Sequence, residues 1–180
     1  MANNEVRIIG GQWKGRKLKF PDRPGLRPTL GRVRETLFNW LAPRIGNARC
    51  LDLFAGSGAL GFEALSRGAA EVTFVEKDRK AAAAIHSNVT ALGADAHVKN
   101  LPADRFVARD TNVYDVIFFD PPFEDARSLS LLARVLRERL APGGVLYLEM
   151  PRRAALPAIG QLLKRGTAGD CQFVLLTAGE

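Results

Sequence analysis

The chain has 180 residues, 47% apolar and 25% charged, a globular balance that argues against a disordered chain, a collagen-like repeat or a coiled coil. No apolar run reaches the roughly 18 residues a membrane helix needs, and the opening Met1-Ala2-Asn3-Asn4-Glu5-Val6-Arg7 has no basic-then-apolar leader, so a cytoplasmic protein is expected. Charge is uneven: residues 1–50 carry eleven Lys and Arg against three acids, +8, and the remainder 15 against 16, −1.

A basic end of this kind suits a polyanion, nucleic acid foremost, because each neutralised phosphate releases condensed counterions. An ordinary solvated basic face is the other reading. Cys50 and Cys171 have neither paired spacing nor a neighbouring His, so no disulfide framework and no metal site are expected, and both read as buried small apolar residues.

In chain order, Val6-Arg7-Ile8-Ile9, then Gly10-Gly11, then residues 12–20 around Gly15 predict a small basic β-hairpin. Residues 21–29, with Pro21, Pro24, Pro28 and Gly25, predict an extended linker. From Arg32 to Leu41, Val33, Leu37, Phe38 and Leu41 recur on one side at helical spacing, and Pro43 and Gly46 should end that helix. These pieces form an N-terminal extension, residues 1–47, packed on a core of residues 48–180.

In the core, an apolar run over 48–54 ends in a glycine turn, 59–66 is helical and 71–76 is a second strand. A helix over 79–92, a weak strand at 96–99 and a strong one at 114–120 follow. A helix over about 129–140, a strand at 145–150 and a closing hairpin from 161–164 and 173–177 complete the chain. Strands buried on both faces read as unbroken apolar runs, so the fold class is α/β, a mostly parallel, doubly wound, Rossmann-like sheet.

Ligands of such sheets bind where the carboxyl ends of the strands meet the turns. Gly56, Gly58 and Gly61, with Glu76 twenty residues after Gly56, match a dinucleotide fingerprint in which the carboxylate accepts ribose hydroxyls, so an adenosine-containing cofactor is expected. Asp52 precedes that turn, where a pyrophosphate makes an anion unwelcome but an ammonium group is welcome. That suits S-adenosylmethionine better than NAD; a carboxylate capping the turn's own amides is the alternative.

The most specific string is Asp120-Pro121-Pro122-Phe123. A purine's exocyclic amine is a poor nucleophile because its lone pair is delocalised into the ring. If the Asp120 carboxylate and the Pro121 carbonyl accept its two N–H bonds, the lone pair faces the cofactor's methyl in a near-attack geometry. Pro121 and Pro122 stiffen the loop, and Phe123 offers a face on which the base stacks. The plain alternative is a rigid turn with Phe123 in the core.

Asp-Pro-Pro-Phe at this place is similar to the motif of enzymes that methylate exocyclic amines of nucleic-acid bases. Arg7-Ile8-Ile9-Gly10-Gly11, Trp13-x-Gly15-Arg16, Arg27-Pro28-Thr29, the helix Arg32-Val33-Arg34-Glu35-Thr36-Leu37-Phe38-Asn39-Trp40-Leu41 and residues 51–69 extend the likeness. Together they resemble the RsmD-type guanine-N2 methyltransferases of bacterial small-subunit ribosomal RNA.

The resemblance implies a class I methyltransferase that moves a methyl group from S-adenosylmethionine to N2 of one guanine in 16S rRNA, within an assembling or assembled small subunit. By matching positions, Asp52, Phe54, Gly56 and Gly58, with Ala55 and Ser57 between them, would line the methionine end. Glu76 would hold the ribose, Lys77 would lie beside the adenine, and Asn100 and Leu101 would approach its edge. Asp120, Pro121, Pro122 and Phe123 would hold the target amine. Lys14, Arg16, Lys17 and Lys19 would grip phosphates, with Arg27, Arg32 and Arg34 nearer the cleft. Trp13 either stacks on RNA or covers its own hairpin; His86 and His97 are given no role. Where the family carries Thr-Asp, this chain has Leu30-Gly31, so Thr29 caps the helix or the helix starts later. Competing readings are adenine-N6 methylation of DNA or RNA, an NAD-dependent oxidoreductase, and a non-catalytic RNA-binding module.

Overall fold

The computed structural model describes residues 3–22, 29–121 and 126–179. The extension contributes β1 (Asn3–Arg7), β2 (Lys17–Pro21) and α1 (Gly31–Ile45). The core adds β3 (Arg49–Asp52), α2 (Ala59–Ser66), β4 (Glu71–Val75), α3 (Arg79–Leu92), β5 (Ala96–Lys99) and α4 (Ala103–Arg109). It continues with β6 (Tyr114–Phe119), α5 (Ala126–Glu138), β7 (Leu140–Pro151), β8 (Gln161–Ala168) and β9 (Cys171–Thr177).

The main sheet has seven strands in the order β5-β4-β3-β6-β7-β9-β8. Pairing is parallel from β5 to β7 and antiparallel across β7–β9 and β9–β8. The chain winds outward from β3 through β4 to β5, then returns to lay β6 on the other side of β3. That reversal opens a crevice above the carboxyl ends of β3 and β6, where open α/β sheets bind their ligands.

Successive strand residues face opposite sides of the sheet. Cys50, Val116, Phe118, Val145 and Tyr147 join a core with α1, α2, α3 and the β1–β2 hairpin. Leu51, Ile117, Phe119, Leu146 and Leu148 join a second core with α4 and α5. Burial of both faces is why these strands read as continuous apolar runs.

The extension is fastened by one acid. Glu63 of α2 is 0% exposed; its Oε2 accepts from Ile9 N at 2.9 Å and its Oε1 from Gly10 N at 2.8 Å. Arg67 Nε donates to Oε1 at 2.8 Å, and Arg34 Nη1 lies 3.5 Å from Oε2 while also donating to the Arg7 carbonyl at 3.1 Å. The hairpin, α1 and α2 therefore meet on a single carboxylate. Asn88 of α3 holds the far strand of the hairpin by donating to the Lys19 carbonyl at 3.0 Å.

Several boundaries differ from expectation. α1 runs through Pro43 to Ile45, because a proline in the last turn removes one hydrogen bond without preventing one further turn. Its cap position is Leu30, with no side-chain cap; Thr29 instead offers its carbonyl to Arg34 Nε at 3.2 Å. α4 was not expected, α5 lies about three residues earlier than expected, and β7 begins at Leu140, a bulge separating that first pairing from the rest. Cys50 is buried, but Cys171 only partly.

Candidate active site at the carboxyl edge of the sheet

The turn after β3 is shaped by neighbours that exclude side chains. Gly58 has φ 79, and a Cβ there would lie 2.7 Å from the Phe62 ring; any other residue combines left-handed strain with a clash. Gly61 faces the Phe74 ring closely enough that a Cβ cannot fit, which seats α2 tightly on β4. Ser57 Oγ accepts from Ala59 N at 3.3 Å at the start of α2.

Glu76 ties two strand ends together. Its Oε2 accepts from Gly56 N at 2.8 Å and its Oε1 from Asp78 N at 2.7 Å. Asn100 Nδ2, beyond β5, donates to the Glu76 and Lys77 carbonyls at 2.8 and 3.1 Å. The glycine turn, the β4 turn and the β5 end are thus held in one piece, as a preorganised cofactor cradle requires.

Acids stand at the ends of four neighbouring strands: Asp52 of β3, Glu76 after β4, Asp120 after β6 and Glu149 of β7. Asp52 is 2% exposed and accepts from Gly61 N at 3.1 Å. Burial pushes its carboxyl up to about 7 against that hydrogen bond, with Glu76 adding to the rise. Burial likewise pushes Asp120 up to about 7, with Glu149 and Asp52 contributing. Tyr147 Oη donates to Glu149 Oε2 at 2.8 Å; burial and then Glu149 push that phenol well above its ordinary value. Among the described residues no Lys, Arg or His pairs with Asp52, Asp120 or Glu149, and none of the acids forms a metal-ligand group. Unpaired carboxylates on a preorganised cradle suit a ligand that brings positive charge and N–H donors.

Phe54 is set edge-on to Phe119, centroids 5.2 Å apart and planes at 84°. It joins the turn after β3 to the end of β6, beside Asp120.

Comparison with known proteins agrees with this geometry. Residues 6–176 match the family model described as Conserved hypothetical protein 95. Ribosomal RNA small subunit methyltransferase D of Escherichia coli K12 is 48% identical over 161 residues, covering 88% of this chain and 81% of that protein. The protein of the same name from Haemophilus influenzae is 44% identical over 184 residues, covering 97% and 94%. The chain belongs to the RsmD family of ribosomal RNA small subunit methyltransferases.

The solved structure of yhhF from Escherichia coli superposes on this RsmD-family chain with a TM-score of 0.87 at 42% identity, over 97% of this chain and 99% of that one. The Thermus thermophilus 16S rRNA N2 G1207 methyltransferase RsmC, solved with AdoMet and guanosine, gives 0.74 at 21% identity over 98% of this chain and 50% of that one. The fold is that of the class I methyltransferases.

On this RsmD-family scaffold Asp52, Phe54, Ala55, Gly56, Ser57, Gly58 and Glu76 gather at one end of the crevice, and Asp120 and Pro121 flank it on β6. Lys77 is exposed beside Glu76, whereas the Asn100 amide is occupied by backbone carbonyls and Leu101 packs on the second core. Pro122, Phe123 and Arg27 lie outside the described residues.

Lys14, Arg16, Lys17, Lys19 and Arg32 are exposed, Lys17 pairing with Glu5 at 2.7 Å. Arg34 corrects the expectation of an RNA-facing cation: it is 4% exposed and spent on Glu63. Its place three and four residues before Leu37 and Phe38 puts it on the apolar side of α1, a spacing that marks it as buried. Trp13 is half-buried and packs on the first core. Glu63 and Glu149 carried no sequence signal: Glu63 meets Ile9, Gly10 and Arg34 from far along the chain, and Glu149 comes beside Asp120 only through the pairing of β6 with β7.

Proposed function

We propose that this chain transfers the methyl group of S-adenosylmethionine to the exocyclic N2 of a guanine in 16S rRNA. The observation that carries the reading is the pairing of a glycine-turn cradle on β3 with an acid-proline corner on β6, side by side at the switch point of an RsmD-family fold. The cradle fits the cofactor: Glu76 pins the glycine turn through Gly56 N, and Asp52 and Asp120, with no basic partner among the described residues, suit a ligand that brings positive charge and N–H donors.

When bound, S-adenosylmethionine supplies a methyl group made electrophilic by its sulfonium. Glu76, whose carboxylate already holds the Gly56 and Asp78 amides, would accept the ribose hydroxyls on its remaining lone pairs. Asp120 and the Pro121 carbonyl would accept the two N2–H bonds and aim the nitrogen lone pair at the methyl carbon. Methyl transfer to that nitrogen would leave it with one extra proton, which Asp120 or water would take. Orientation and a dry, preorganised pocket supply the acceleration. Lys14, Arg16, Lys17 and Lys19 on the hairpin would grip backbone phosphates, in a salt-dependent manner.

The test is to incubate the protein with labelled S-adenosylmethionine and either naked 16S rRNA or small subunits lacking the modification, then digest and identify the labelled nucleoside. N2-methylguanosine at one position is expected. N6-methyladenosine, or no transfer to either substrate, would refute the reading.

A further inference from the structure

The proposed reaction requires the site to choose guanine over adenine, and the acid-proline corner alone does not: either base offers an amine to Asp120 and Pro121. The selecting group has to meet something the amine does not share. Guanine carries an N1–H beside its amine, whereas the corresponding ring nitrogen of adenine is a bare acceptor. A fixed carboxylate next to the amine-holding acid would therefore attract one base and repel the other.

Glu149 is placed for that. Strands β6 and β7 run parallel with Phe118 opposite Tyr147 and Phe119 opposite Leu148; the next step of this register puts Asp120 opposite Glu149. Both follow a residue of the first core by two positions, Phe118 and Tyr147, so both side chains leave the sheet on the same face. Adjacent strands are about 4.8 Å apart, a spacing at which neighbouring carboxyl groups can take neighbouring N–H donors of one base edge.

The Tyr147 hydroxyl, itself immobilised in the core, holds Oε2 of Glu149 at 2.8 Å. The Cys171 thiol, a weak donor, also hydrogen-bonds to Glu149; among the described residues no N–H or O–H donor reaches Oε1, and no cation pairs with the group.

Resting on the methyl-transfer reading above, we propose that Glu149 is the specificity-determining residue of the site, its Oε1 accepting guanine N1–H while Asp120 and the Pro121 carbonyl hold the N2 amine. Tyr147 is then a positioning residue that fixes the carboxylate. An isosteric change from acceptor to donor should shift the preference toward the base with a bare N1 acceptor rather than lower the rate on both, because the unmatched pair in either combination places like groups face to face.

The probe is 2,6-diaminopurine, which keeps the N2 amine of guanine but has a bare acceptor at N1. Small subunits reconstituted with guanine or 2,6-diaminopurine at the mapped target would be methylated by the wild type and by Glu149→Gln, with kcat/KM measured for each. Wild type should prefer guanine by about 10–100-fold. Glu149→Gln should narrow that ratio at least about tenfold by losing rate on guanine and gaining it on diaminopurine, with Tm and S-adenosylmethionine affinity unchanged. Glu149→Ala should narrow it by losing rate on guanine alone.

Equal loss on both substrates, or a ratio unchanged in both variants, overturns the assignment. If the wild type places no methyl on N2 of guanine, it is the methyl-transfer reading that fails; a wild type active on guanine with an unaltered ratio in the variants defeats the role of Glu149 alone.

Discussion

Two sets of acids show opposite uses of the same side chain. At the root of the N-terminal extension, Glu63 is wholly enclosed and completely answered: two backbone amides, Arg34 and Arg67 converge on its two oxygens. At the carboxyl edge of the sheet, Asp52 and Asp120 have no basic partner among the described residues, and their carboxyls are pushed up to about 7. A saturated carboxylate fastens pieces of chain; an unsaturated one, held at a cost to the fold, is a place for a ligand.

The larger consequence falls on the fastening acid. Glu63→Ala leaves Arg34 buried without its anion and two amides without an acceptor, which costs about 3–5 kcal/mol. A fall in Tm of roughly 10 °C or more is expected, with the hairpin released first; protection of the amides of Ile9 and Gly10 from hydrogen exchange should be lost ahead of the core. A variant as stable as wild type would mean that Glu63 does not organise the extension.

The smaller consequence falls on the edge, and its sign is reversed. The folded Asp52 carboxyl sits at about 7, above the ordinary 3.8, so the fold favours the protonated form. Its contribution is complete below about pH 4 and is lost as pH rises through about 7. In the ligand-free protein, Asp52→Asn should therefore be more stable than wild type by a few degrees at pH 8.5, with the difference shrinking steadily below pH 7 and vanishing toward pH 4. A difference in Tm that does not grow with pH would show that Asp52 is not held against its ionised form.

The residues that could be read from sequence are those whose reasons are local. α3 spans Arg79–Leu92 as expected because Asp78 caps its first amides at 3.0 and 2.8 Å and Gly93, at φ 60, ends it. The glycine turn and the acid-proline corner are continuous strings whose spacing carries their chemistry.

What escaped is non-local or short. α4, at seven residues, is too brief to show a period. Glu63 meets partners 53 and 54 residues away. Glu149 gains its meaning only from the register that sets it beside Asp120. Arg34 was expected to face RNA near the cleft, although its spacing from Leu37 and Phe38 placed it inside.

The most direct test of the account is to measure methyl transfer to small subunits and S-adenosylmethionine affinity together in Asp120→Ala. Removing the acceptor that holds the amine should abolish transfer, by about 1,000-fold or more, while cofactor affinity stays within a few-fold and Tm does not fall. Transfer that survives, or cofactor binding that collapses with it, would contradict the role given to the acid-proline corner.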